Sequence, residues 1–153
     1  MAWTVVLTVV SGVIIFVVVQ LVVRLVIEPV RELRRTIGAI SHTLIEHANV
    51  IQNPEFPTKA VMDETSMKLR QLSSQLQSRF YMVPLYRVTA CVFRLPAAEK
   101  IRAASGALTG LSNSIFQSRE SINKINSRSV DIVSDSLGIS LVEEIRWPKN
   151  ETR

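Results

Sequence analysis

Residues 3–24 read WTVVLTVVSGVIIFVVVQLVVR, and no charged side chain interrupts them before Arg24. As a helix at about 1.5 Å per residue the stretch is about 33 Å long, enough to cross a hydrocarbon core of about 30 Å with some tilt. A membrane span follows from that match. A cleaved signal peptide would instead show a basic leading region, a shorter apolar core and a small-x-small cleavage site. Met1-Ala2-Trp3 carries no basic side chain, and the apolar run passes into Arg24, Glu28, Arg31, Arg34 and Arg35, so the segment is expected to be retained.

The arginine cluster follows the span directly, and the positive-inside rule then places the C-terminal side in the cytoplasm, N-out and C-in. Trp3 falls at the outer interface, where an amphipathic ring is favourable, and Arg24 snorkels toward the inner headgroups. Arg31, Arg34 and Arg35 complete a juxtamembrane collar suited to anionic lipid. That collar accounts first for the formal charge of +5, so nucleic acid is not an expected partner. Gln20 is the polar side chain in the inner half of the span. Either it bonds across to a second copy of the helix, a gain of about 0.6 to 2 kcal/mol, or it reaches interfacial water.

Beyond Pro29 the chain is long enough for one modest domain and not two. A single cysteine, Cys91, leaves no internal disulfide framework and suits a reducing cytoplasm. With 47% hydrophobic and 20% charged residues the chain is not a disordered tail. Ile37, Ile40, Leu44, Ala48 and Ile51 recur at helical spacing, so the span is expected to continue as one long helix to about Gln52, with a kink or short break at Pro29. Asn53-Pro54 and Phe56-Pro57 mark a stiff turn.

A second helix is expected from about Thr58 to Tyr81, with Val61, Thr65, Leu69, Leu72, Leu76 and Phe80 inward and Lys68, Arg70, Gln71, Ser74 and Gln77 in water. The short turn favours an antiparallel hairpin. Residues 84–95, PLYRVTACVFRL, gather Leu85, Val88, Val92 and Leu95 opposite Arg87 and Arg94, with Pro84 and Pro96 in first-turn positions. Two readings stay open: an interfacial helix with Tyr81, Tyr86, Arg87 and Arg94 at the membrane surface, or a bundle helix with both arginines in water. A fourth helix over about Pro96–Phe116 carries Ala97, Ile101, Ala104, Leu108, Leu111 and Ile115. A fifth, about Ser118–Leu137, carries Ile122, Ile125, Val130, Ile132 and Val133, with Gly138 as its C′ residue. Residues 141–153 form a tail.

The fold class is therefore all-α: a transmembrane anchor over residues 1–28, continuing into a small cytoplasmic helical bundle over residues 29–140. Sites of chemistry are harder to assemble. His42 and His47 are five apart and diverge by about 140° around a helix, so a two-histidine metal site is not expected. Glu46 follows His42 by four and suits a surface pair. Asp63-Glu64 and Glu143-Glu144 are neighbours that point apart. Cys91 reads as a small buried filler, and Ser112, Asn113 and Ser114 as a wet face. No catalytic residues, metal or cofactor are expected, and the chain does not read as an enzyme.

The blocks LVIEPVRELRRTIGAISHTLIEHANV, MKLRQLSSQL, VPLY and ALTGLSNSI resemble a family of uncharacterised bacterial single-span membrane proteins, over about Leu21 to Ile139. The resemblance implies a bacterial inner-membrane location and no particular activity. Arg24, Ile27, Pro29 and Leu33, with Asp63-Glu64 and Leu69, are similar to parts of a HAMP signalling module. The chain departs from that pattern at Ser66, where the module usually has glycine, and lacks its Gly-Asp-Leu element. The expected function is a membrane-tethered interaction or scaffold module, with an unknown protein partner. Behind it stand a homo-oligomeric HAMP-like or channel-like assembly and then a lipid-acting enzyme using His42, Glu46 or Asp63.

Overall fold

The computed structural model describes residues 2–52, 57–117 and 122–140. Every regular element among them is helical. The first, α1 (Ala2–Val22), is apolar all round, and its described side chains from Trp3 to Val22 are all exposed. Its valines and isoleucines are mediocre helix formers in water, but a chain in lipid must bond its own backbone, which favours a helix regardless. Its hydroxyls bond within the helix: Thr8 donates to the Thr4 carbonyl and Ser11 to the Thr8 carbonyl, at 2.9 and 3.0 Å.

Pro29 does not break the rod. It sits in the first turn of α2 (Glu28–Glu46), and the turn before it, Val23–Ile27, widens to a π-helix in which the Glu28 N–H bonds the Val23 carbonyl. Proline lacks an N–H and its ring crowds the carbonyl four residues back, so a wide turn absorbs the misfit without ending the helix. The result is a continuous 44-residue helix, Trp3–Glu46, long and apolar enough in its first half to cross a membrane.

From Val30 onward the rod becomes one-sided. Val30, Leu33, Thr36, Ile40, Thr43 and Leu44 turn into the bundle, while Arg31, Arg34, Arg35 and Gly38 stay outside. The expected helix to Gln52 is interrupted at His47, whose backbone (φ −102°, ψ 18°) leaves the α region before α3 (Ala48–Gln52) resumes it.

α4 (Lys59–Met82) runs antiparallel to α2: Arg79 meets Glu32 at 3.5 Å near one end, and Thr65 meets His47 at 3.2 Å near the other. α6 (Ala98–Ser114) returns along α4, where Ser66 donates to the Ser112 carbonyl at 2.8 Å and Ser73 to the Ser105 carbonyl at 2.9 Å. α7 (Ile122–Leu137) closes the bundle on α6 and α3. The shared core is built from Leu33, Ile40, Leu69, Leu76, Ile101, Leu108, Leu111 and Val133, all at zero exposure. Gly138 ends α7 with φ +67°, and the Ile139 N–H reaches the Ser134 carbonyl at 2.9 Å, the glycine stop expected at this position.

Several expected core positions are displaced. Val61, Ile125 and Ile132 are exposed, and Asn126 occupies the α7 core position between Ile122 and Val130. The inward positions of α7 recur as 122, 126, 130, 133 and 137, a regular helical stripe in which one member is polar. Pro84 and Pro96 each stand one residue outside their helix caps rather than in the first turn. The tail over 141–153, including Glu143-Glu144, and the start of the expected fifth helix lie outside the described residues.

Candidate functional site

The antiparallel pairing brings the end of α4, the start of α6 and the start of α2 to one end of the bundle, the end from which α1 departs. α5 (Tyr86–Phe93) lies across that end, because its two neighbours in the chain, α4 and α6, finish and begin there. Leu85 and Arg94 flank it in the left-handed region, at φ 45° and 50°. Such a backbone costs a residue with a side chain about 1 to 3 kcal/mol and persists only where its surroundings hold it.

Those holds are visible. The Tyr86 hydroxyl donates to the Pro96 carbonyl at 2.6 Å, and Thr89 donates to the Pro84 carbonyl at 2.8 Å. Arg34 donates through Nη2 to the Phe93 carbonyl at 2.6 Å, a cation on the C-terminal turn of α5 where the helix dipole is negative. The Tyr86 ring packs edge-on against Phe80 with centroids 4.6 Å apart, and the Arg102 guanidinium lies 5.9 Å from the Phe80 centroid. Partial burial pushes the Tyr86 phenol up to about 12 by desolvating its charged form.

The inward sector of α5 is thus Tyr86, Thr89 and Phe93. Leu85, Val88 and Val92, the apolar residues that define its amphipathic pattern, face outward together with Tyr81 and Met82 of α4. Arg87 and Arg94 are also exposed, on the flank between the apolar outer edge and the packed sector. Cys91 shares that exposed flank and is not the buried filler its apolar context suggests. Of the expected interfacial residues, Trp3, Arg24, Arg31, Arg34, Arg35, Tyr81, Arg87 and Arg94 are all exposed, whereas Tyr86 turns inward and is half-buried. Gln20 is exposed on α1.

The opposite end of the bundle holds a polar cluster that the sequence did not announce. His47 is buried, with Nδ1 3.2 Å from Thr65 Oγ1 and Nε2 3.3 Å from Lys68 Nζ. Thr65 Oγ1 donates to the Val61 carbonyl at 2.8 Å as well as lying against the imidazole. Glu46 lies 3.5 Å from His47, 4.0 Å from His42 and 3.9 Å from Lys68, which also pairs with Glu64 at 3.1 Å. His42 points to solvent, and Asp63 is exposed on α4, so the two histidines do not converge. Among the described residues no three His, Cys, Asp or Glu side chains gather closely enough to hold a metal ion. The signal for His47 was positional: it continues the inward stripe 33, 40, 44, 51.

Between the two ends runs a buried seam of small polar residues. Ser73 Oγ lies 2.8 Å from Ser105 Oγ and 2.9 Å from Thr109 Oγ1. Asn126 donates to the Ile51 carbonyl at 2.8 Å and accepts from Ser114 at 2.5 Å. Ser112 and Ser114 are therefore buried rather than wet, and only Asn113 of that trio is outside, accepting from Arg70 at 2.9 Å. Compared with known protein families, with curated proteins and with solved structures, the chain shows no significant match to any.

Proposed function

We propose that the chain is a non-enzymatic, membrane-tethered interaction or scaffold module: one span in a bacterial inner membrane, N-out and C-in, holding a helical bundle at the cytoplasmic face. The observation that carries this reading is the continuity of the rod. The same helix that is apolar all round from Trp3 to Val22 supplies, from Val30 to Leu44, one wall of the bundle core. A bundle fixed to its anchor in this way is held in one orientation to the bilayer, as a docking platform requires. Arg24, Arg31, Arg34 and Arg35 sit just past the apolar stretch, where anionic headgroups attract them.

Crosslinking and affinity purification of the tagged protein from its native membrane, read by mass spectrometry, tests the proposal. A recurrent heterologous partner is the expected result. Recovery of self-crosslinks alone would replace it with a second reading, a homo-oligomeric assembly that transmits a signal along the rod in the manner of a HAMP module. Gln20 favours that second reading, since it stands exposed on a helix that no other described part of the chain covers. Gln20→Leu would then weaken self-association.

A further inference from the structure

We propose that α5 is a lipid-docking foot. Leu85, Val88 and Val92, with Tyr81 and Met82 beside them, enter the headgroup–acyl boundary of the leaflet from which the rod emerges, and Arg87 and Arg94 hold phosphates at its edge. The inference rests on the reading of α1 as a membrane span, and it gives the bundle a second attachment.

Position names the occupant. The Glu32–Arg79 pair sets the end of α4 beside the start of α2. Glu32 is about 12 Å along the rod from Arg24, and α4 continues three more residues toward the membrane, so Met82 comes within about 8 Å of the level of Arg24. That is close to the depth of one headgroup layer, about 5 to 7 Å. The surface nearest this patch is the bilayer that α1 crosses.

The chemistry fits the same occupant. Leu85 is 81% exposed, Val92 70% and Tyr81 73%, large values for apolar and aromatic side chains at one end of the bundle. Rotation of α5 about its axis would bury Val88 and Val92, yet the Tyr86 ring on Phe80 and the Arg34 bond to the Phe93 carbonyl fix the other sector inward. The two left-handed residues, Leu85 and Arg94, fasten both ends of the helix in that orientation. An apolar edge with arginines on its flank is the pattern of a helix lying in the plane of an anionic interface.

The test uses the full-length chain reconstituted in vesicles of phosphatidylethanolamine and phosphatidylglycerol. In a Cys91→Ala background, a nitroxide is attached at Val13→Cys in the span, Val88→Cys on the foot or Ser74→Cys on the solvent side of α4. Collisions with oxygen, which concentrates in lipid, are compared with collisions with a nickel chelate, which stays in water. The expected ratio at Val88→Cys is several-fold above that at Ser74→Cys and below that at Val13→Cys. Adding Leu85→Asp and Val92→Asp brings the Val88→Cys ratio down toward that of Ser74→Cys. A ratio at Val88→Cys equal to that at Ser74→Cys, with Val13→Cys still in lipid, overturns the foot and leaves the span intact. Shielding of Val88→Cys from both probes overturns it in favour of a protein occupant. A water-like ratio at Val13→Cys removes the span reading and the foot with it.

Discussion

One helix, Trp3–Glu46, presents two opposite surfaces: its first half shows apolar side chains on every side, and its second shows a single buried stripe with arginines opposite. The backbone is the same in both. On the reading proposed above, what differs is the medium each half satisfies, since a helix apolar all round suits lipid and a one-sided helix suits a bundle in water. Exposure of Val13 and burial of Leu33 are thus two answers to the same physical demand, and identical substitutions in the two halves should behave differently.

Truncation separates them most sharply. Leu33→Ala empties a position of zero exposure and should cost the bundle about 2 to 5 kcal/mol, read as a lower urea midpoint in mild detergent. Val13→Ala, outside the bundle, should change that midpoint by less than about 0.5 kcal/mol. A charge reverses the ranking. Val13→Arg should cost insertion about 2.5 to 3.5 kcal/mol in a membrane-integration assay, whereas His42→Arg on the solvent side of α2 should leave both insertion and folding unchanged.

Within the bundle, Asn126→Ala leaves the buried Ile51 carbonyl without its donor and should destabilise by about 1 to 3 kcal/mol; Asn126→Leu should not recover the loss, because the carbonyl stays unbonded. Ser73→Ala removes one hydroxyl from the seam between α4 and α6 and should cost about 1 kcal/mol in the same assay. The smallest effect concerns Tyr86. Burial raises its phenol to about 12, so a stabilising difference from the unfolded chain is complete below about pH 10 and is lost as pH climbs through that interval. Tyr86→Phe should flatten the decline in the urea midpoint between about pH 10 and about pH 12, and at neutral pH it should cost about 0.5 to 1 kcal/mol for the lost bond to the Pro96 carbonyl.

The long apolar first helix and the helix succession could be read locally, because composition and the three-and-four spacing are properties of a short window. The π-turn at Val23–Ile27 and the stop at Gly138 follow from the known demands of proline and of a left-handed backbone. Buried polar positions are what a local window does not reveal. Ser66, Ser73, Ser114, His47 and Asn126 are buried with hydrogen-bond partners on other helices, as Ser66 has at the residue 112 carbonyl and Asn126 at the residue 51 carbonyl, while Ser112 is buried with its hydroxyl on the Thr109 carbonyl one turn back. An apolar stripe drawn from residue type alone assigns such positions to water and fills the gaps with Val61, Ile125 or Ile132. Cys91 was misjudged in the other direction, since which sector of the short helix α5 packs inward is set by Tyr86 against Phe80 and by Arg34 on the Phe93 carbonyl, and not by hydrophobicity.

The central claim is that the rod passes from lipid into a cytoplasmic bundle without interruption, and labelling with a membrane-impermeant maleimide tests it most directly. In a Cys91→Ala background, Ser74→Cys should react only after the cells are permeabilised, and Val13→Cys should resist the reagent before and after. Reaction of Ser74→Cys in intact cells, or of Val13→Cys as readily as Ser74→Cys once the membrane is opened, would contradict it.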